Sequence, residues 1–177
     1  MQVKTKDTMT FSLKGRLQVE ALLGTEVVWK ISNHNLVCDD VKKIILGLFG
    51  RDLDNKMISY ISIGTGGDLN PATLLDTGAR VAPQPQEDKM RAELYRAYIA
   101  NVETDEVNLE NIYTALAPPE EAISADINEF GLFSEDGTMM AHFVTDPAMS
   151  GRAKTYNKTA LLYLVVRWTW APVLHRG

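Results

Sequence analysis

The sequence is poor in most of the features that announce a chemistry. It has one cysteine, Cys38, so no intramolecular disulfide can form, and the thiol is read as a small buried apolar group rather than a reactive one. Three histidines, His34, His142 and His175, stand far apart with no HxH or HxxxH spacing, so none is assigned as a metal ligand or catalytic base. No apolar run approaches the ~20 residues that a membrane helix needs. The N-terminal MQVKTKDTMTFSLKGR has no continuous apolar segment of the signal-peptide kind, so the chain is expected to be made and folded in the cytosol. Basic residues are too few for a nucleic-acid surface: 18 Lys and Arg against 23 Asp and Glu give a net charge of −5. Gly64-Thr65-Gly66-Gly67 follows a strand-like run as a phosphate loop would, but no Gly-Lys-Ser/Thr closes it and no helix pattern follows, so it is read as a β-turn.

What is present is strand. Over 177 residues, 45% hydrophobic and 23% charged, the composition is that of an ordinary globular domain. Met9, Phe11 and Leu13, then Leu17, Val19 and Ala21, alternate with polar residues as in a half-buried antiparallel strand, with Lys14-Gly15 read as a break between the two runs. Val27, Trp29 and Ile31 line a second strand, and Met57 to Ile63 form another, with Ile58, Tyr60 and Ser62 expected on one face. Leu94 to Thr104 and Leu109 to Ala117 follow, the latter ended by Pro118-Pro119. Leu162, Leu164, Val166, Trp168 and Trp170 share one uninterrupted apolar face, which places the last strand, Thr159 to Ala171, in the middle of a sheet. Val41, Ile44, Ile45 and Leu48 have helical spacing behind Asp39 and Asp40, so one short amphipathic helix is expected at about 39–49. Around Ser134-Glu135-Asp136-Gly137, the runs Ile127 to Phe133 and Thr138 to Thr145 predict a hairpin, because glycine accepts the positive φ of such turns. The expected fold is mainly β: an antiparallel β-sandwich or jelly roll with that one helix. It forms one domain over 8–171, with a flexible N-terminus at 1–7, a long loop at about 68–93 and a C-terminal tail at 172–177.

Glu129 is the one charged residue set inside an otherwise apolar strand. It is expected to be partly buried and paired, with Arg167 as a candidate partner, and Gly131 beside it is expected to leave room for a bulky neighbour or a bulge. A structural ion pair is the simpler reading of Glu129; a hydrolase built on Glu129, Asp136 or His142 is the enzymatic one. The acids of the hairpin turn are read as solubilising, and the charged stretch Gln86 to Arg96 as a solvated segment that would also suit a subunit contact. Trp168-Thr169-Trp170 is read as core, although exposed tryptophans would suit a sugar platform. No catalytic, cofactor-binding or metal-binding residue is assigned.

Four segments, in order, resemble a group of tailed-phage virion proteins. They are Asn33-His34-Asn35-Leu36-Val37 before a short helix, Ile58-Ser59-Tyr60-Ile61-Ser62-Ile63-Gly64-Thr65-Gly66, Ile127-Asn128-Glu129-Phe130-Gly131-Leu132-Phe133 with Gly137-Thr138 closing the turn, and Trp168-Thr169-Trp170. The resemblance spans about Leu13 to Ala171. It implies a non-enzymatic structural subunit of the tail, baseplate, neck or fibre-attachment region, assembled in the host bacterial cytoplasm. It also implies that the partners are further copies of the chain and neighbouring virion proteins, with neither nucleic acid nor membrane, and that no cofactor is needed. A carbohydrate-binding β-sandwich for host-surface recognition and a capsid decoration protein are the alternatives.

Overall fold

The computed structural model describes residues 9–50, 54, 56–66, 85–124, 127–145 and 156–176. The expected flexible N-terminus at 1–7 and most of the long loop, 68–84, lie outside the described residues. The elements are β1 (Met9–Leu23), β2 (Glu26–His34), β3 (Leu36–Val37), α1 (Val41–Gly50), β4 (Ile58–Gly64), β5 (Glu93–Asp105), β6 (Glu110–Ala117), β7 (Glu129–Ser134), β8 (Met139–Val144) and β9 (Tyr163–Arg176). All the pairings are antiparallel, in the order β2-β1-β9-β6-β5-β4-β7-β8-β3. The mainly antiparallel fold with one short helix is thus as the alternation indicated.

Two bent stretches turn this sheet back on itself. The first half of β5 pairs with β4 (Tyr95↔Ile63, Tyr98↔Tyr60), and the second half pairs with β6 (Val102↔Tyr113, Asp105↔Glu110). At the opposite edge β2 pairs with β1 and β3 with β8, and only Asn35 separates β2 from β3. The result is a nearly closed, barrel-like sandwich in which few strand edges stay unpaired. Gly15 makes the second bend possible. A Cβ there would lie 2.1 Å from the Asn35 side-chain oxygen, and the Gly15 carbonyl accepts the Asn35 N–H at 3.2 Å. The expected break at Lys14-Gly15 is therefore corrected: β1 runs through it, and the glycine is a notch for the corner residue rather than an interruption.

The core lies between the two halves. Leu17, Val19 and Ala21 of β1 and Leu164, Val166 and Trp168 of β9 are fully enclosed, and β9 sits between β1 and β6 as its apolar face requires. Burying two indoles contributes several kcal/mol at roughly 25 cal/mol per Å² of apolar area. The strand continues to Arg176 and pairs with β1 as far as Met9, so residues 172–176 belong to the sheet and not to a tail. α1 packs Val41 and Ile44 against the core and leaves Leu46 exposed; the Leu48 side chain lies outside the described residues. Asp39 and Asp40 form i,i+3 ion pairs with Lys42 and Lys43 at its start. Among the described residues no helix is long and apolar enough to cross a membrane.

Two of the register shifts between strands bear on which side chains enter the core. One between Ile58 and Tyr60 leaves Tyr60 and Ser62 on the outer face but packs Ile58 with the core, against the expectation that all three share a face. The other, at the Leu132–Phe133 pairing with Ala141 and Met139, places Met140 and Ala141 both in the inner core while Met139 packs outside.

Candidate functional site

Every residue of β7 and β8 is buried, which a strand with one wet face would not be. Their outer face is covered by residues 85–92, a strap of turns and bends leading into β5. Beneath it Met90, Cys38, Tyr60, Phe133 and Met139 form a second small apolar cluster, with Phe133 stacked on Tyr60 at 5.0 Å. Gly131 opens the space: a Cβ there would meet the Phe133 ring at 2.6 Å and the Met90 sulfur at 2.8 Å. The bulky neighbour expected beside Gly131 is therefore Phe133, with Met90 of the strap. Burial pushes the Cys38 thiol up to about 12, as suits a structural rather than a reactive group.

Glu129 anchors this strap. Its side chain is completely buried, and Oε1 accepts the Arg91 N–H at 2.7 Å and a hydrogen bond from His142 Nε2 at 2.8 Å, while Oε2 accepts the Ala92 N–H at 3.0 Å. A carboxylate oxygen can only accept, so the proton of the His142 contact sits on Nε2. The other ring nitrogen, Nδ1, lies 2.8 Å from Glu87 Oε2, at ion-pair distance. Glu87 in turn pairs with Arg91 at 2.6 Å. The chain of contacts Arg91–Glu87–His142–Glu129 thus begins on the strap and returns to it through the Arg91 and Ala92 N–H groups. Further backbone bonds fix the strap's two ends, from Asp39 N–H to the Pro85 carbonyl and from Thr65 N–H to the Ala92 carbonyl.

The glycines of the β4 turn make room for that carboxylate. A Cβ on Gly66 would lie 2.1 Å from Glu129 Oε2 and 2.7 Å from the Ala92 nitrogen; one on Gly64 would lie 2.4 Å from the Ala92 carbonyl oxygen. The Gly-Thr-Gly turn is therefore the cradle of a buried glutamate. Two of the segments singled out in the sequence, Gly64-Thr65-Gly66 and Ile127 to Phe133, are two sides of one contact.

Burial alone raises the Glu129 carboxyl; the His142 hydrogen bond and the two strap N–H groups outweigh it, and the net shift is below the ordinary value. A carboxyl depressed in the folded state adds stability that is present above the unfolded value of about 4.3 and is lost as pH falls through the folded one. Acid titration of wild type is accordingly expected to show stability falling only below about pH 4, with a shallower fall in Glu129→Gln. Equilibrium urea unfolding at a series of pH values reads this; equal slopes in the two proteins would contradict it. Glu20 and Glu93, also depressed by their Lys30 and Arg96 partners, keep part of the slope in both.

The other residues weighed from sequence fall elsewhere. Arg167 is not the partner of Glu129; it reaches Glu20 across the β1–β9 pair at 3.0 Å, because it points to the opposite side of β9 from the core. Asp136 is bound inside its own turn: Ser134 Oγ donates to it at 2.5 Å, the Thr138 N–H at 3.1 Å, and Lys56 pairs with it. It shapes the turn in which Gly137 takes φ +82°, and Lys56 first, then Ser134, hold its carboxyl well below the usual range. His34 ends β2, and the His175 side chain lies outside the described residues. Trp168 and Trp170 are core. Lys158, which no sequence pattern marked, is completely buried, with its ammonium donating to the carbonyls of Pro118 at 2.9 Å and Pro119 at 2.8 Å. It ties the 156–158 segment to the end of β6, and the Asn157 carbonyl accepts the Trp29 indole N–H at 2.8 Å.

Among the described residues no group of three or more His, Cys, Asp or Glu side chains is arranged to hold a metal ion. The Glu129–His142 pair has the residue types of a general acid–base couple, but both side chains are sealed under the strap and out of reach of a substrate. What the arrangement does is fasten one segment of chain to a sheet. No protein-family model, no curated protein and no solved structure matches the chain.

Proposed function

We propose that the protein is a non-enzymatic structural subunit of a tailed-phage virion, working through interfaces with its own copies and with neighbouring tail, baseplate, neck or fibre proteins. One observation carries the reading. The residues through which the chain resembles such subunits, Gly64, Gly66, Glu129 and Gly131, are spent together on fastening the strap, which supports reading the pattern as structural. Burial of Glu129 and His142 takes two of the three residues of the hydrolase reading out of reach, the third, Asp136, is engaged by Lys56 and Ser134 in its turn, and the buried Trp168 and Trp170 weigh against a sugar platform. In a ring or sleeve of identical subunits each contact repeats, so modest interfaces add to a firm assembly.

Mass spectrometry of gradient-purified phage particles from cells that encode the chain tests this. Its peptides are expected in intact particles at a fixed ratio to the major capsid protein. Abundant chain in the lysate with none in the particles would refute the assignment.

A further inference from the structure

The outer face of the β2-β1-β9-β6-β5 half carries its charges in two blocks. Leu17, Val19 and Ala21 of β1 point into the core, so Lys14, Arg16 and Glu20 point away from it. The strand register then lays out rows across this face. One row runs His34, Arg16, Thr169, Ile112, Glu103. The next holds Lys14 beside Ala171 on one side and Glu110 beside Asp105 on the other. With Lys30 and Arg167, the β2-β1-β9 side sets four cations around one acid, Glu20, which those last two already engage. The β6–β5 side is wholly acidic, since residues 97–117 contain no lysine or arginine.

The outermost charges are unmatched within the chain. Among the described residues Lys14 and Arg16 have no carboxylate at ion-pair distance, and Glu103 and Glu110 have no cation. Two of them are steadied by neutral neighbours: Arg16 Nη2 donates to Ser32 Oγ at 2.8 Å, and Glu103 Oε1 accepts from Asn101 Nδ2 at 2.8 Å. Lys14, Arg16 and Glu103 are exposed, whereas Thr169 and Ile112, between the blocks, are half-buried and uncharged. A face with cations at one side, a neutral centre and acids at the other is complementary to itself turned end for end. At a net charge of −5 copies of the chain repel each other on average, so a self-contact has to set unlike charges together.

We infer that this face is a self-docking surface, on which two copies of the chain meet face to face about a two-fold axis parallel to the strands. That rotation lays Arg16 of each copy over Glu103 of the other, and Lys14 over Asp105 and Glu110, so every pairing occurs twice. Sheets packed face to face stay within about 30° of alignment, which keeps the rows in step. Five strands and six residues along β1 span roughly 20 Å by 20 Å, so the pair buries on the order of 800 Å² in all, the size of a weak, transient contact. The inference deepens the assembly reading and rests on it for the high local concentration at which such a contact forms.

Sedimentation equilibrium of the full chain tests this. A monomer–dimer equilibrium is expected, with a Kd between about 10 μM and 1 mM for so small a face. It is expected to weaken at least about fivefold from ~10 mM to ~1 M salt, as the screening length shrinks. Arg16→Glu and Glu103→Arg, both at exposed positions, are each expected to weaken it at least about tenfold, because symmetry turns each change into two repulsive pairs. Mixed in equal amounts, the two variants are expected to associate about as tightly as wild type, since the mixed dimer has one native and one exchanged Arg–Glu pair. A wild-type chain still monomeric at about 1 mM in low salt, a dimer that either single variant leaves intact, or a mixture that stays monomeric would each overturn the inference. A monomer found at a fixed ratio in phage particles would overturn this contact and keep the assembly reading; a salt-sensitive dimer absent from particles would do the reverse.

Discussion

Glu129→Gln is expected to lower the unfolding free energy by about 3 kcal/mol or more, the usual scale for removing one partner of a buried, hydrogen-bonded charge pair. The substitution keeps the size of the side chain and one acceptor oxygen. It replaces the other oxygen with an NH₂ group that cannot accept, so at least one of three N–H donors, from Arg91, Ala92 or His142, is left facing a donor in a dry site. Urea unfolding is expected to show a lower midpoint, with no loss of the barrel's far-ultraviolet signature in the absence of denaturant. If the midpoint moved by less than the equivalent of about 1 kcal/mol, within the range of an ordinary surface substitution, the carboxylate would not be the anchor described.

The second large effect concerns the cradle. Gly66→Ala puts a methyl group 2.1 Å from Glu129 Oε2 and 2.7 Å from the Ala92 backbone nitrogen, and a backbone atom cannot step aside as a side-chain tip can. A loss of about 2–4 kcal/mol is expected, with the strap displaced, on the scale of strained or overpacked buried positions. The coupling is more telling than the single value. In a Glu129→Ala background half of the collision is already gone, so Gly66→Ala should cost about 1 kcal/mol less than it does alone, within the range found for contacting pairs. Strictly additive costs would mean that turn and strand are independent features.

The same residues show how far the sequence could be read. Alternation placed the strands well, because a half-buried strand writes its two faces directly into its residues: Leu17, Val19 and Ala21, or Leu164, Val166 and Trp168, need no partner to be recognised. It erred where the chain spends an extra residue, since the bulge at Ile58–Tyr60 reverses the phase without any local signal. Gly15 reads as punctuation in the sequence because a glycine that breaks a strand and one that admits a neighbour look alike until Asn35 arrives from twenty residues away. For Glu129, burial and the need of a partner were legible from its apolar setting. The partners were not, because His142 and the Arg91 and Ala92 N–H groups reach it, and Glu87 reaches His142, only through the β7–β8 pairing and the return of the strap. Glu87 itself sits in a charged run that reads as solvated. Lys158 had no signal at all, as its acceptors, the Pro118 and Pro119 carbonyls, come from about forty residues earlier in the chain.

Hydrogen exchange at two amides tests the central claim most directly. The N–H groups of Arg91 and Ala92 lie outside regular strand pairing, and the structure gives them the Glu129 carboxylate as acceptor. In wild type they are expected to exchange as slowly as the amides of β7, and in Glu129→Gln to become fast while β1 and β9 remain protected. Rapid exchange of both amides in the wild-type protein would contradict a strap held by Glu129, and with it the structural role that supports the assembly reading.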